Sequence, residues 1–218
     1  MSALTALQAV LFDWDGTLVN TAEASYRCYV ELFRSYGIAF DREAYQRTYS
    51  PNWHRTYSAL GLPEGRWAEA DARWLDHYGR EQVLLIEGAR EAVVRVREAG
   101  LMAGLVTSGD CTRVGRELAA LDMAPLFHVV VCSEDIVNRK PHPEALLLAL
   151  DRLGLRPPQA AYVGDSPEDV QMARAAGVRA IGVPGGFPNR EALGRERPDV
   201  LAATLAQGLS AVLPASRP

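Results

Sequence analysis

The chain has 218 residues, of which 48% are apolar and 23% are charged, and its formal net charge is −4. This apolar fraction can bury one sizeable core with a smaller subdomain, and basic residues are interspersed with acidic ones, so no cluster indicates a nucleic-acid partner. No apolar run approaches the roughly 18 residues of a membrane span, and Asp13 and Asp15 interrupt the N-terminal apolar stretch, which argues against a signal peptide.

The first predicted strand, 9–14, has the sequence AVLFDW and is followed at once by a second acidic residue. Its apolar residues predict a buried strand, and its end is marked by Asp13 and Asp15, then Gly16 and Thr17. A buried strand does not normally end in two acids, because burial penalises a charged carboxylate. The pair therefore indicates a site with a compensating cation.

Residues 21–86 contain no convincing strand. Their first part shows apolar residues at spacings of four and three, which predict an amphipathic helix that ends at Gly37: Ala22, Tyr26, Tyr29, Phe33 and Tyr36. Further helices are predicted near 41–48, 52–60 and 65–78. We therefore expect a small all-helical cap domain, 21–86, inserted after strand one of a core domain formed by 1–20 and 87–218.

The rest of the chain alternates between short apolar runs and segments of helical periodicity. Strands are predicted at 101–107, 128–132, 160–165 and 179–183, and helices at 88–99, 110–121, 143–153 and 167–176. Three of these helices are followed by glycine, a common helix stop. The alternation predicts an α/β fold with a Rossmann-like parallel sheet core and helices on both faces.

The three cysteines, Cys28, Cys111 and Cys132, are far apart and odd in number. This pattern is typical of reduced thiols, and it fits neither a disulfide framework nor a zinc site. We therefore expect a cytoplasmic protein whose cysteines act as small apolar residues.

Polar residues follow most of the predicted strands. Since ligands of parallel α/β sheets bind beyond the carboxyl ends of the strands, we expect these residues around one crevice. They are Asp13, Asp15, Gly16, Thr17, Thr107, Ser108, Gly109, Arg139, Lys140, Asp165, Ser166 and Asp169. Several carboxylates need a cation, and oxygen ligands favour Mg²⁺, which usually accompanies a phosphate. The set predicts a phosphoryl-transfer site, in which a carboxylate can be the nucleophile.

Four segments, FDWDGTL, VTSG, RKP and GDSPED, resemble in order the four motifs of haloacid dehalogenase-like phosphatases. The resemblance covers essentially the whole chain, including a helical cap after the first motif. It implies a phosphatase that uses Mg²⁺ and forms an aspartyl-phosphate intermediate.

The resemblance also implies a role for each matching residue. Asp13 would attack phosphorus and bind Mg²⁺, while Asp15 would act as general acid and then base and would also ligate the metal through its backbone carbonyl. Asp165 would be a direct Mg²⁺ ligand, and Asp169 would bind the metal less directly, although Ser166 and Asp169 also form a capping box. Phosphate binding would fall to Gly16, Thr107, Ser108, Gly109 and Lys140, with Lys140 and Thr107 counted as catalytic.

Two residues narrow the reaction. Relatives that cleave carbon–halogen or phosphonate bonds lack an acid at the position of Asp15, so oxygen–phosphorus chemistry is favoured. The family's hexose-phosphate mutases commonly carry a histidine twelve residues after the nucleophile, where this chain has Ser25. The chain resembles a phosphoglycolate phosphatase. Pyrophosphate, sugar phosphates and nucleotides stay open as substrates, and a phosphomutase and a non-catalytic phospholigand-binding protein stay open as functions.

A small cap implies a small phosphorylated metabolite as the partner, since it closes over the crevice and excludes water. Neither nucleic acid nor a membrane is expected to bind, and the protein is expected to be a monomer or homodimer. Specificity should come from polar and aromatic residues around the Ser-Pro break in RTYSPNWHR and from one residue after the first motif. These candidates are Asn20, Arg47, Tyr49, Asn52, Trp53, His54 and Arg55.

Overall fold

The protein is described by a computed structural model that covers residues 6–50 and 52–213. Within these residues, six parallel strands form one sheet in the order β3-β2-β1-β4-β5-β6. The strands are β1 Ala9–Phe12, β2 Met102–Val106, β3 Val129–Val131, β4 Ala160–Gly164, β5 Arg179–Gly182 and β6 Val200–Leu201. The predicted α/β class and parallel sheet are confirmed.

Ten α-helices accompany the sheet in the described part of the chain. They are α1 Ala22–Ser35, α2 Arg42–Thr48, α3 Trp53–Ala59, α4 Trp67–Tyr78, α5 Ala89–Glu98, α6 Cys111–Ala120, α7 Glu144–Leu153, α8 Pro167–Ala176, α9 Arg190–Arg195 and α10 Leu205–Ser210. The last strand and the last two helices are not among the predicted elements. Two residues of strand and six of helix are too short to display a period.

The sheet separates two hydrophobic cores because side chains alternate along each strand. In β1, Val10 and Phe12 join a core built with α5, α6 and α10, whereas Ala9 and Leu11 join a core built with α7, α8 and α9. All four of these β1 side chains are fully buried. The central strand is therefore held rigidly from both faces, which fixes the backbone that leads to Asp13.

The four helices α1 to α4 lie between β1 and β2 in the chain and share an aromatic cluster of their own. The chain enters and leaves this helical segment side by side: the N–H of Asn20 donates to the carbonyl of Leu84 at 2.9 Å, and the N–H of Ile86 donates to the carbonyl of Leu18 at 2.9 Å. This arrangement suits an insertion into the sheet domain. The domain boundaries at 21 and 86 stay a prediction.

The chain path changes direction at β1. From β1 it passes through the helical segment to β2 and β3 on one side, and then crosses to β4, β5 and β6 on the other. In sheets of this kind, the crevice at the carboxyl end of the strands where the direction changes is where ligands bind. Among the described residues, no helix is both long enough and apolar enough to cross a membrane.

The loop before α7 is tied down by one carboxylate, that of Glu144. It accepts hydrogen bonds from the backbone N–H groups of Val137 at 2.8 Å and Asn138 at 2.9 Å, and from the Asn138 side chain at 2.8 Å. These hydrogen bonds lower the pKa of Glu144 below its ordinary value of 4.5, and the bond from the Val137 N–H has the largest effect. The loop continues to Lys140, so Glu144 helps to position it.

We expect Glu144→Gln to lower the melting temperature at pH 7 and the deficit to shrink at acid pH. A carboxyl whose pKa is lowered on folding contributes stability above its unfolded value, and this contribution is lost as the pH falls through the folded value. The measurement is the melting temperature of wild type and variant from pH 7 to pH 3, with Glu98→Gln in α5 as an exposed control. A deficit that is constant over this range would contradict the assignment.

Candidate active site

A cavity of about 380 Å³ lies at the carboxyl edge of the sheet, between the sheet and the helical segment. Cavities of this size take small-molecule ligands. Twelve of the site residues expected from the sequence line it: Asp13, Asp15, Tyr49, Trp53, Thr107, Ser108, Gly109, Arg139, Lys140, Asp165, Ser166 and Asp169. The motif residues are thus brought together from the ends of β1, β2 and β4 and from the loop before α7.

Lys140 lies at the centre of this site and is only 4% exposed. Its ammonium donates to Asp13 Oδ1 at 2.6 Å, to Asp169 Oδ1 at 2.7 Å and to the hydroxyl of Tyr162 at 2.8 Å. Burial works to lower the pKa of Lys140, but the two carboxylates outweigh it and raise this pKa above its ordinary value. Lys140 is therefore a permanent cation beside Asp13.

The positive charge that the protein places around Asp13 does not offset the effect of burial on its carboxyl. Burial raises the pKa of the Asp13 carboxyl to about 7; Lys140 opposes this shift, and the nearby Asp169 and Asp15 carboxylates add to it. With these protein groups alone, the neutral form of Asp13 is therefore favoured more than in an exposed aspartate. A nucleophile has to be ionised, so the site calls for a further cation.

The residues around Asp13 fit a divalent cation with oxygen ligands. Carboxylate oxygens of Asp13, Asp165 and Asp169 lie within 4.8 Å of one another. Asp165 Oδ2 is buried and has no hydrogen-bond partner among the described residues, and burial raises the pKa of Asp165 well above its ordinary value. A buried carboxylate oxygen that accepts no hydrogen bond fits the position of a metal ligand. Hard oxygen donors without nitrogen or sulfur suit Mg²⁺.

Asp169 differs from the other two acids because both of its oxygens are engaged. Oδ1 accepts from Lys140 and lies 3.1 Å from the hydroxyl of Tyr162. Oδ2 accepts from the backbone N–H groups of Asp165 and Ser166, at 3.1 and 3.0 Å, and from the Ser166 hydroxyl at 2.7 Å. The capping box at the start of α8 is present, and the same side chain also positions Lys140. Its contact with a metal stays a prediction.

Gly16 makes the turn after β1 possible. Its φ angle is +82°, and a Cβ at this position would lie 2.5 Å from Asp165 Oδ2 and 2.6 Å from the ring of Phe187. Only glycine adopts this conformation and leaves space for both neighbours. Gly16 therefore allows the backbone to approach the Asp165 side chain closely. The contact between Gly16 and phosphate stays a prediction.

Asp15 is held by an arginine that the sequence analysis did not single out. Arg113, from α6, donates to both carboxylate oxygens of Asp15, at 2.6 and 3.0 Å, and is only 6% exposed. It also donates to Glu117 at 3.2 Å, and Glu117 accepts from the indole N–H of Trp14 at 2.6 Å. The spacing of four between Arg113 and Glu117 is the one available signal, and it is indistinguishable from that of a solvated surface pair.

The loop after β2 carries the hydroxyl residues of the second motif. The N–H of Gly109 donates to Thr107 Oγ1 at 3.0 Å, so the Gly109 N–H expected to face phosphate is engaged within the loop. The cap of α6 is Asp110, which accepts from the N–H of Arg113 at 2.8 Å. Thr107 and Ser108 line the cavity without capping this helix through their side chains.

The predicted specificity residues fall into three groups. Tyr49 and Trp53 line the cavity, and Tyr49 stacks on Phe187 with ring centroids 4.6 Å apart. Asn52 and Arg55 line a shallow groove beside it, which Lys140 also borders.

The structure does not bring the other three specificity candidates to the cavity. Arg47 is exposed, and its guanidinium lies 3.4 Å from Glu43 on its own helix. Asn20 is exposed where the chain enters the helical segment. His54 lies 3.2 Å from Asp71 and stacks on Trp67. Local partners explain Arg47 and His54, and a sequence pattern does not show these partners.

Several cavity residues were missed from the sequence. They are Tyr29, Tyr57, Asp71, Trp74, Arg113 and Phe187. The aromatic ones, Tyr29, Tyr57, Trp74 and Phe187, belong to the aromatic cluster of the helical segment or pack against it. An aromatic side chain at the rim of a core can pack in that core and also line a cavity. Its helical spacing in the sequence is the same whether or not it lines the cavity.

The family model of haloacid dehalogenase-like hydrolases matches residues 10–183. A phosphoglycolate phosphatase from Salmonella typhimurium is 32% identical over 228 residues, which cover 92% of this chain and 90% of that protein. The solved structure of a proposed phosphoglycolate phosphatase from Lactobacillus plantarum matches with a TM-score of 0.86 at 24% identity, over 94% of this chain and 99% of that one. The structure of CbbY from Rhodobacter sphaeroides in complex with phosphate matches with a TM-score of 0.78 at 25% identity, again over 94% and 99%.

Proposed function

The chain belongs to the family of haloacid dehalogenase-like hydrolases and is a phosphatase, and from this premise we propose that it hydrolyses a small phosphate monoester such as 2-phosphoglycolate, with Mg²⁺ and through an aspartyl-phosphate on Asp13. The observation that carries the proposal is the position of Lys140, which lines the cavity and whose ammonium lies 2.6 Å from Asp13. The 32% identity with a phosphoglycolate phosphatase supports the substrate.

In the first step, a carboxylate oxygen of Asp13 attacks phosphorus, and the bond from phosphorus to the leaving oxygen breaks. Asp15 gives a proton to that leaving oxygen as general acid. Lys140 and the Thr107 and Ser108 loop hold the phosphoryl group during transfer. Mg²⁺, held by Asp13, Asp165 and the backbone carbonyl of Asp15, would supply positive charge that keeps Asp13 ionised and offsets the charge of the phosphate.

In the second step, Asp15 accepts a proton from a water molecule, and the resulting nucleophile attacks phosphorus, which frees Asp13 and inorganic phosphate. Both steps require the Asp15 carboxyl in a fixed orientation. The two hydrogen bonds from Arg113 provide this orientation.

The helical segment closes over the cavity and restricts its ligand to a small metabolite. Ser50 donates to Glu168 at 3.2 Å, and Tyr49 stacks on Phe187, so two contacts join the helical segment to the sheet domain at the cavity rim. Closure of this kind excludes water from the reacting groups. Opening of the segment would admit the substrate and release the product.

The proposal predicts phosphate release that depends on Mg²⁺. We expect turnover of 2-phosphoglycolate in a panel that also contains pyrophosphate, sugar phosphates and nucleoside monophosphates, loss of turnover with EDTA, and recovery when Mg²⁺ is added in excess. The measurement is phosphate release, with circular dichroism to verify folding. A folded protein that turns over none of these compounds would favour a phospholigand-binding protein, and conversion of a sugar phosphate to its isomer would favour a mutase.

A further inference from the structure

Arg139 lies at the cavity directly before Lys140 in the chain. One of its guanidinium nitrogens, Nη1, is buried and has no hydrogen-bond partner among residues 6–50 and 52–213. Leaving a buried donor of a charged group unpaired is costly, so this nitrogen calls for a hydrogen-bond partner. The proposed reaction steps assign no task to Arg139.

The other two cations that line the cavity form ion pairs with carboxylates of the protein. Lys140 is bound to Asp13 and Asp169, and Arg113 is bound to Asp15 and Glu117. Arg139 differs from both because no carboxylate among the described residues forms an ion pair with it. Of the three cavity cations, Arg139 is therefore the one whose charge is not balanced by an ion pair within the described residues.

The acids nearest to Arg139 are engaged elsewhere. Asp71 accepts from the indole N–H of Trp53 at 2.7 Å, and its other oxygen lies 3.2 Å from His54. Glu134 accepts from the N–H of Cys111 at 3.0 Å and from the hydroxyl of Ser133 at 3.0 Å. Burial lowers the pKa of Arg139 below its ordinary value, and Asp71 and Glu134 only oppose this effect.

The position of the guanidinium is set by a stacking contact. Its carbon lies 4.0 Å from the centroid of the Trp53 ring, and Trp53 itself is fixed by Asp71. Arg139 comes from the sheet domain and Trp53 from the helical segment, so the charge sits where the two meet. A planar guanidinium stacked in this way still has its in-plane N–H groups available for a planar carboxylate.

We propose that Arg139 is a specificity-determining residue that binds a carboxylate carried by the substrate in addition to its phosphate. This inference rests on the proposed function and narrows its substrate class to short phosphorylated hydroxy acids. Arg139 and Lys140 line the same cavity of about 380 Å³. A cavity of this size takes a small ligand, so one substrate with its phosphate at Lys140 and its carboxylate at Arg139 has a short carbon chain.

The test compares two substrates that differ in one group. 2-Phosphoglycolate carries a carboxylate where 2-hydroxyethyl phosphate carries a neutral hydroxymethyl group. We expect wild type to prefer the carboxylate in kcat/KM, and Arg139→Gln to lose about 10- to 100-fold on 2-phosphoglycolate, mostly in KM, while 2-hydroxyethyl phosphate changes little. Arg139→Lys should recover part of the preference, and Arg179→Gln, an exposed arginine at the start of β5 and away from the carboxyl edge of the sheet, should leave it unchanged.

An equal loss on both substrates would mean that Arg139 only holds Trp53, and no preference in wild type would overturn the proposal as well. A second readout does not depend on turnover. Binding of 2-phosphoglycolate and of 2-hydroxyethyl phosphate to Asp13→Asn in the presence of Mg²⁺, with and without Arg139→Gln, is measured by calorimetry. If the wild type hydrolyses neither compound while 2-phosphoglycolate still binds in an Arg139-dependent way, the proposed function is rejected and this inference is kept. Binding that is the same with and without Arg139→Gln would reject the inference.

Discussion

Asp13→Asn should abolish phosphate release, lowering kcat by at least about 10⁴-fold, as removal of an enzyme's nucleophile generally does. The amide has the shape of the carboxylate but cannot attack phosphorus to form the covalent intermediate. Lys140 would also lose one of its two carboxylate partners, which lies 2.6 Å away. The measurement is the phosphate release rate at saturating 2-phosphoglycolate and Mg²⁺.

The control for this variant is a matched substitution at the surface. Asp122 is exposed and has a φ angle of +49°, a conformation that asparagine accepts readily. Asp122→Asn should therefore keep wild-type rates and melting temperature. Turnover by folded Asp13→Asn at more than a few per cent of the wild-type rate would show that another group is the nucleophile.

The fold and the centre of the site were predictable because each depends on a local pattern. The apolar run that ends in Asp13 and Asp15 predicts both a buried strand and a charged end of that strand. Gly154 and Gly177 end their helices in the left-handed conformation that the pattern predicts. Since all strands are parallel, their carboxyl ends share one edge, and the motifs meet there without further information.

The second set of site residues could not be predicted because it depends on contacts across the fold. Arg113 is one of 22 arginines, and most of the others are at least partly exposed. Arg139 was expected at the crevice from its place before Lys140, but its contact with the helical segment was not. What distinguishes Arg113 is a carboxylate 98 positions earlier in the chain, and what distinguishes Arg139 is the Trp53 ring above it. The polar residue Arg47 was expected at the site for its type alone, and a neighbour on its own helix holds it instead.

The buried network around Arg113 suggests a second large effect. Arg113→Met should lower kcat by about 100-fold, because Asp15 loses the two hydrogen bonds that orient it. It should also destabilise the protein by about 3–5 kcal/mol, since Glu117, which is 4% exposed, would be left without its cation. The measurements are steady-state kinetics and thermal unfolding, with the exposed Arg116→Met on the same helix as control.

A second substitution separates the two effects of Arg113→Met. Adding Glu117→Gln removes the unpaired charge and keeps an oxygen that can accept from the indole N–H of Trp14, a bond that measures 2.6 Å in the wild type. The double variant should therefore regain most of the lost stability. It should not regain kcat, because Asp15 still lacks the guanidinium. If stability and kcat returned together, Arg113 would be a structural residue, and the orientation of Asp15 would have to come from the chain that follows β1.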